Sequence, residues 1–459
     1  MLDPDDVEAC LRVLAAMDDA DERVVAAVDR AYKAQKKRRK VERRTAAGAH
    51  DRQILTEPQD HNPPLVRARR CYVCKSPYRE VRPSYPQLCE DCAAGNTARR
   101  HARCDLTGRR ALLTGGRIKI GFETALKLLR DGADVIVTTR FPRDAHRRFD
   151  AVPDADQWRH RLHVHGVDFL DLAGVVGLAD AVAARWDHLD ILVNNAAQTI
   201  ARPAAYYREL AAAESRPELR ETAAESRPEL SETAAESRPE LSETAAESRR
   251  QLSETAERPH NGTAERARNE TAERARNEMA ELFFPAGALD ETGQPLDLRP
   301  VNSWTLELHQ VTPREWMEVQ VVNAFVPFLL IGRLRPLLAA SPFPDRYVVN
   351  VSAMEGSFSR ERKTADHPHT NMAKAGLNML TRTIAEQYAA DGIHVTSVDT
   401  GWVTDERPHA TRGHLRERGF RVPLDVVDGA ARVYDPIVRG VHGDPVHGVF
   451  LKDYREVQW

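Results

Sequence analysis

ALLTGGRIKIG, residues 111–121, carries an apolar strand into a glycine-bearing turn and then straight into a helix, and DVIVTTR at 134–140 adds a second apolar strand behind it. A tight turn from strand into helix aims backbone N–H groups and the positive end of the helix dipole at one point, where a pyrophosphate binds well. A glycine cluster alone says little. The order strand, turn, helix, strand gives it weight, because the second strand ends where an adenosine ribose lies in such a unit.

The same texture continues outward. Short apolar runs recur as LHVHGVD (162–168), LDILVNNAA (189–197), RYVVNVSA (346–353), IHVTSVDTG (393–401) and HGVFLKD (447–453). Strands that are apolar on both faces and separated by helices imply a parallel sheet covered on both sides. Stretches 120–130, 172–186, 313–339 and 371–390 are long enough to serve as right-handed crossovers. The expected class is α/β, a Rossmann doubly wound parallel sheet spanning 105–459. It is interrupted near 200–300 by a low-complexity insertion, in which ESRPELSETAA-type units begin at Glu214, Glu225, Glu236 and Glu247, and TAERARNE units at Thr263 and Thr271. An 11-residue period would put Leu219, Leu230, Leu241 and Leu252 on a slowly drifting helix face. Pro217, Pro228 and Pro239 each cost a continuous helix roughly 3 kcal/mol, so a loop with transient helix is expected instead.

Two further segments precede the sheet. Residues 1–60 show helical spacing (Val7, Cys10, Leu11, Leu14, then Val24, Val25, Val28) and end in a basic run, Lys36 to Lys40 with Arg43 and Arg44, which reads as a helical extension with a solvated basic face. Residues 61–104 hold Cys71-x-x-Cys74 and Cys89-x-x-Cys92, two knuckles able to place four thiolates around a tetrahedral ion. A structural zinc in a zinc-ribbon-like module is expected, contributing on the order of 10 kcal/mol to a segment with little core; a redox dithiol or iron–sulfur cluster is the alternative. Cys10 and Cys104 are left as free thiols. The net charge of -3 makes no case for a wholesale nucleic-acid or membrane binder. The acidic start MLDPDDVEAC and the absence of a long uninterrupted apolar run lead to the expectation of a cytoplasmic protein without a membrane partner.

Several motifs together resemble the short-chain dehydrogenase/reductase family. Its TGxxxGxG pattern maps onto Thr114, Gly115 and Gly121, with Lys119 in place of the middle glycine. Asp168 follows the third strand, Asn194 opens NNAA, and Asn323, Ser352 and Lys374 match the active-site Asn, Ser and Lys. Thr404 stands for the Thr that meets the nicotinamide, with Thr400 where the family has proline. The resemblance implies a nicotinamide cofactor. Arg117, Lys119 and Arg140, with no carboxylate at the end of the second strand, favour the 2′-phosphate of NADP(H) over NAD(H).

The family's catalytic Tyr, four residues before the Lys, is Thr370 here, and an aliphatic hydroxyl does not serve as a general acid near neutral pH. His369 is the first replacement considered, beside Glu355 and Lys374 itself, or no proton-transfer group at all. The leading expectation is an NADP(H)-dependent oxidoreductase acting on a small-molecule carbonyl or alcohol. By resemblance it pairs with further copies of itself through 313–339 and 371–390. A second expectation is a catalytically silent NADP-binding sensor that engages a macromolecule, nucleic acid included, through the zinc module and basic helix.

Overall fold

A computed structural model describes residues 3–15, 22–59, 61–215, 281–360 and 363–459. The repeats after Ser215 lie outside the described residues. The chain divides into two compact units, Met1–His101 with His414–Asp425, and Ala102–Gly413 with Val426–Trp459. The helical extension and the cysteine segment therefore form one unit, which also recruits a short stretch from near the C-terminus.

The first unit contains α1 (Pro4–Ala15), α2 (Glu22–Thr56), a hairpin of β1 (Arg69–Arg70) and β2 (Pro77–Tyr78), and α3 (Glu90–Arg100). The basic run lies on α2 with Lys36, Lys37, Arg38, Arg39, Lys40 and Arg43 exposed. The unit does have a small core, built on Ile54, Leu65, Tyr78, Val81, Tyr85 and Leu88. Asp51 near the end of α2 accepts the backbone N–H groups of Val66 (2.7 Å) and Arg67 (3.1 Å), joining helix to hairpin.

The second unit is built on β3 (Arg110–Leu113), β4 (Asp134–Thr139), β5 (Leu162–Gly166), β6 (Ile191–Asn194), β7 (Arg346–Ser352), β8 (Ile393–Asp399), β9 (Phe450–Lys452) and β10 (Arg455–Val457). These form one sheet in the order β10-β9-β8-β7-β6-β3-β4-β5, parallel except for the terminal β9/β10 pair. Side chains alternate across it. Ala111, Leu113, Val135, Val137, Ile191 and Val193 point into one core, while Leu112, Ile136 and Leu192 point into the other. A two-sided core favours apolar residues at successive strand positions, as in Ala111–Leu113, Val135–Val137 and Ile191–Val193, and the buried polar residues of β6, β7 and β8 must find partners within the protein.

On the first face lie α4 (Lys119–Arg130), α5 (Pro142–Asp150) and a helix at Val426–Val441; on the second lie α6 (Leu172–Arg185) and the helices of 313–339 and 368–390. A short α7 (Arg208–Glu214) leads toward the insertion. The 313–339 stretch is not one regular helix. It divides into α8 (Pro313–Gln320), a π-turn Val321–Phe325, and α9 (Val326–Ala339). By length and composition Pro313–Ala339 passes as a membrane span, but Val326, Leu330, Ile331, Leu334 and Leu338 are buried against the sheet. The next helices are α10 (Pro368–Ala390), α11 (His409–Glu417) and α12 (Val426–Val441).

Local propensity argues against α12, whose Gly429, Pro436 and Gly440 count against a helix. Tertiary packing explains them: a Cβ on Gly429 would come within 2.9 Å of Ile120, and one on Gly440 would overlap the ring of Tyr347. Tyr347 is itself buried and hydrogen-bonded to Asp345, so it has nowhere to go. Gly440→Ala is therefore expected to destabilise the second unit by about 1–3 kcal/mol, measured by urea denaturation. An unchanged midpoint would mean that the helix can shift away from the sheet.

Candidate active site

In the sheet order, the crossovers run to opposite sides from β3, so the crevice between the carboxyl ends of β3 and β6 is the switch point where ligands bind in open α/β sheets. The loop 114–118 and the segment after Asn194 line it. Gly115 takes a left-handed φ of +71°, and a Cβ there would lie 2.9 Å from Ala196 Cα; a Cβ on Gly121 would strike the carbonyl oxygen of Gly115. The turn is thus folded tightly onto the β6 loop. Asn195 holds it there, its Nδ2 donating to the carbonyls of Thr114 and Gly115 at 3.0 Å each. The hydroxyl of Thr114 accepts the N–H groups of Asn195 and Ala196, both at 3.0 Å.

Lys119, which stands where the family pattern has a glycine, takes a left-handed φ of +53°. Its ammonium is 3.1 Å from Glu406 Oε1, which also accepts the hydroxyl of Thr404 at 2.8 Å. Burial would raise the Glu406 carboxyl, but Lys119, Thr404 and Arg202 outweigh it and hold the pKa at about 2. Lys119 and Thr404 are therefore brought together through a carboxylate that the sequence reading did not single out.

The other expected nucleotide contacts divide. Arg117 is buried between Asp144 and Gln294 Oε1 (2.7 Å), a protein-internal role. Asp144 also binds Arg147 and Arg148; burial opposes its charge, but the three guanidinium groups bring its pKa to about 2. Arg140 stays exposed at the end of β4, its guanidinium 4.5 Å from the centre of the Tyr207 ring. Asp168 is exposed just past β5 and accepts the N–H of Leu170 at 3.0 Å. Asn194 is buried and donates to Asn350 (2.9 Å), whose amide donates to Thr381 (2.9 Å), which meets Ser397 (2.8 Å). It belongs to a polar ladder through β6, β7, α10 and β8 rather than to the crevice surface.

Ser352 ends β7, buried, with no hydrogen-bond partner for its hydroxyl among the described residues. Lys374 on α10 donates its ammonium to the carbonyl of Val351, the neighbour of Ser352, at 2.7 Å. Burial lowers its pKa to about 8, with Glu355 pulling the other way. Thr370, one turn earlier on the same face, is buried with its hydroxyl unpartnered. The turn after Ser352 is packed hard on this helix, since a Cβ on Gly356 would be 2.5 Å from the Lys374 carbonyl carbon. Asp399, at the end of β8, fixes the turn by accepting the N–H of Met354 (2.7 Å) and of Gly401 (2.9 Å), with Lys452 at 3.1 Å. The strand reading gave Asp399 no role, and nothing in its local sequence distinguishes it.

Asn323 sits in the π-turn, its amide clasping the backbone of Gln198 (2.7 and 3.2 Å). His369 is turned toward α8, its Nε2 3.6 Å from Glu315 Oε1, an ion-pair distance rather than a hydrogen bond. His369 lowers the Glu315 pKa against the effect of burial. His367 caps α10 from a left-handed backbone position, stacked on Trp304 at 4.0 Å, and burial lowers its pKa. Glu355 pairs with Arg360.

In the other unit the Sγ atoms of Cys71, Cys74, Cys89 and Cys92 all lie within 4.8 Å of one another, with Cys74 and Cys89 3.5 Å apart. Lys75, at φ +63°, makes the first knuckle tight, and Cys89 caps α3, so Cys92 falls in its first turn.

Two family models match the second unit. A short chain dehydrogenase model covers residues 109–215, and an enoyl-(acyl carrier protein) reductase model covers 301–417, one on each side of the insertion. This chain belongs to the short-chain dehydrogenase family. Among its relatives is an uncharacterized protein of Acanthamoeba polyphaga mimivirus, 29% identical over 386 residues, which are 80% of this chain and 71% of that protein. The match to (-)-isopiperitenone reductase of Mentha piperita is 38% over 89 residues, covering 19% of this chain and 28% of the relative. Salutaridine reductase of Papaver bracteatum is 40% identical over 90 residues, 19% and 28%. This chain thus spans less than a third of either plant enzyme. Solved short-chain dehydrogenase-like structures include an NADPH-bound carbonyl reductase from chicken fatty liver (16% identity, TM-score 0.45, 77% of this chain and 100% of that one) and the Pseudomonas aeruginosa RhlG/NADP complex (18%, 0.45, 76% and 96%).

Within this short-chain dehydrogenase, Asn195 is the cross-brace of the glycine turn, and the doubled Asn of NNAA was its only sequence signal. Asn195→Ala removes both amide bonds to the turn and is expected to cost about 1–2 kcal/mol of stability. Calorimetry should show a larger relative loss in dinucleotide affinity than in stability. Equal dinucleotide affinity in the variant would show that the turn holds its shape unaided.

Proposed function

We propose that the chain is an NADP(H)-dependent oxidoreductase acting on a carbonyl or alcohol, with Ser352 and Lys374 framing the reacting oxygen. The observation that carries this reading is the pairing of an orphaned buried hydroxyl on Ser352 with a buried ammonium anchored one residue away. A buried polar group without a partner costs about 1–3 kcal/mol, a cost that an oxygen-bearing ligand would remove. The residues suit a dinucleotide. Gly115 and Gly121 let the turn pack against Ala196 and itself where no side chain fits, the exposed guanidinium of Arg140 suits a 2′-phosphate, and Thr404 lies in the loop after β8. When bound, the cofactor supplies or accepts the hydride.

Proton handling falls to the chain's own residues. Ser352 donates to the substrate oxygen and orients it. Thr370 cannot supply a proton near neutral pH, and the His369 ring is turned toward Glu315 on α8, so we assign the proton to Lys374, whose pKa of about 8 suits transfer near neutrality.

Two consequences follow for activity. The donor is the ammonium form, so carbonyl reduction should fall as pH rises through about 8, while alcohol oxidation gains. The folded-state pKa lies below its ordinary 10.5, so the unfolded chain binds more protons between about 8 and 10.5, and the Lys374 contribution to stability grows with pH across that window. Supplying a phenol with Thr370→Tyr should raise carbonyl reduction at pH 7 by at least about tenfold. A pH–rate profile flat through 8, with no gain in the Tyr variant despite NADPH binding, would remove Lys374 from this role.

The four thiolates fit a structural zinc, since ligands at about 2.3 Å in a tetrahedron stand roughly 3.8 Å apart. All four positions are filled by protein, which leaves none for substrate. We propose that zinc holds the first unit. Metal analysis should give one zinc per chain, and a strong chelator or Cys92→Ser should unfold that unit, monitored by hydrogen exchange at residues 65–100. Full protection without metal would contradict this.

A further inference from the structure

The described flanks of the insertion pack beside the start of α5. Tyr206 is buried and meets Phe284 edge-on at 5.7 Å, and Glu209 accepts the N–H of Gly287 at 2.8 Å, so the two flanks of the insertion are clasped together. From this base α7 points its last residue, Glu214, at the N-terminus of α5. That helix starts with Pro142, which has no N–H to offer, and its N-cap Phe141 has no capping side chain. The first free donors are the N–H groups of Arg143 and Asp144, and Glu214 takes both, Oε2 from Arg143 and Oε1 from Asp144, each at 3.1 Å. Arg143 adds a bond from its guanidinium to the carbonyl of Ala213 at 3.1 Å.

A carboxylate borrowed from a distant segment thus fills the anion position at the end of β4. Beside it, Arg140 lies over the ring of Tyr207 and has no hydrogen bond or ion pair among the described residues. Arg140 precedes Arg143 by three residues in the chain, and no ion pair joins its guanidinium to Glu214. An anion with more oxygens than a carboxylate could engage both the two N–H groups and the guanidinium, which Glu214 does not.

We propose that Glu214 is a cofactor-selectivity residue: its carboxylate holds the place of the 2′-phosphate, and the phosphorylated dinucleotide binds by displacing it onto solvent. This rests on the NADP(H) reading above. The unphosphorylated dinucleotide brings no competing anion, so Glu214 stays on α5 when it binds. Cofactor choice and the seating of α7 are thereby linked.

Calorimetry on the full chain with NADPH and NADH, for the wild type, Glu214→Gln and Glu214→Ala, tests this. Removing the charge should raise NADPH affinity about tenfold and change NADH affinity by less than about twofold. Hydrogen exchange on the wild type should speed up at residues 208–214 with NADPH and not with NADH. An unchanged NADPH-to-NADH ratio in both variants, or identical exchange of 208–214 with either dinucleotide, overturns the role of Glu214 while leaving the NADP(H) reading intact. If neither dinucleotide binds any of the three proteins, both fall together.

Discussion

The amide of Asn195, donating to the carbonyls of Thr114 and Gly115, is the interaction on which the crevice depends. It ties β3 to β6 at the point where the strand order reverses, while on the other side of the turn the N–H groups of Gly115 and Gly116 donate to Thr138, to its hydroxyl at 3.2 Å and its carbonyl at 3.1 Å. Gly121 matters for the same reason, since the first turn of α4 sits so close to Gly115 that no Cβ fits between them. Lys119 shows how far the pattern tolerates change. A non-glycine residue holds a left-handed backbone there at some cost in strain, and its ammonium finds Glu406 in the loop after β8. The glycine turn after β3 and the loop after β8 are thereby linked by charge.

A second constraint lies inside the sheet. Asn194, Asn350, Thr381 and Ser397 form a chain of buried hydrogen bonds from β6 through β7 and α10 to β8. Such a ladder forms in one register only, because a slip of one residue would bury its amides against apolar neighbours. It sets the height of α10 against β7, and with it the meeting of Lys374 with the carbonyl beside Ser352. Asp399 completes the arrangement from the next strand by holding the turn at Met354.

Much of this was legible from residue order. The parallel strands appear where apolar runs alternate with amphipathic ones, and Ser352 and Lys374 are recognisable from motif and spacing. Arg117 was not legible. It looked like a phosphate ligand because it lies in the glycine loop, but its guanidinium is buried on Asp144 and Gln294, partners 27 and 177 residues away. Glu406, Asp399 and Glu214 were invisible for the same reason, as a carboxylate in a loop or at a helix end carries no local mark of what it will meet.

The sequence by itself determined the α/β class, the place of the nucleotide turn and the four-cysteine cluster, because these follow from periodicity and from spacings of a few residues. Only the tertiary structure decided which charges are spent inside the protein and which remain free. That allocation depends on side chains far apart in the chain meeting at one point: Lys119 with Glu406, Arg117 with Asp144, and Glu214 at the start of α5. No local pattern encodes such pairings, since their energy exists only once packing has removed water from between the partners.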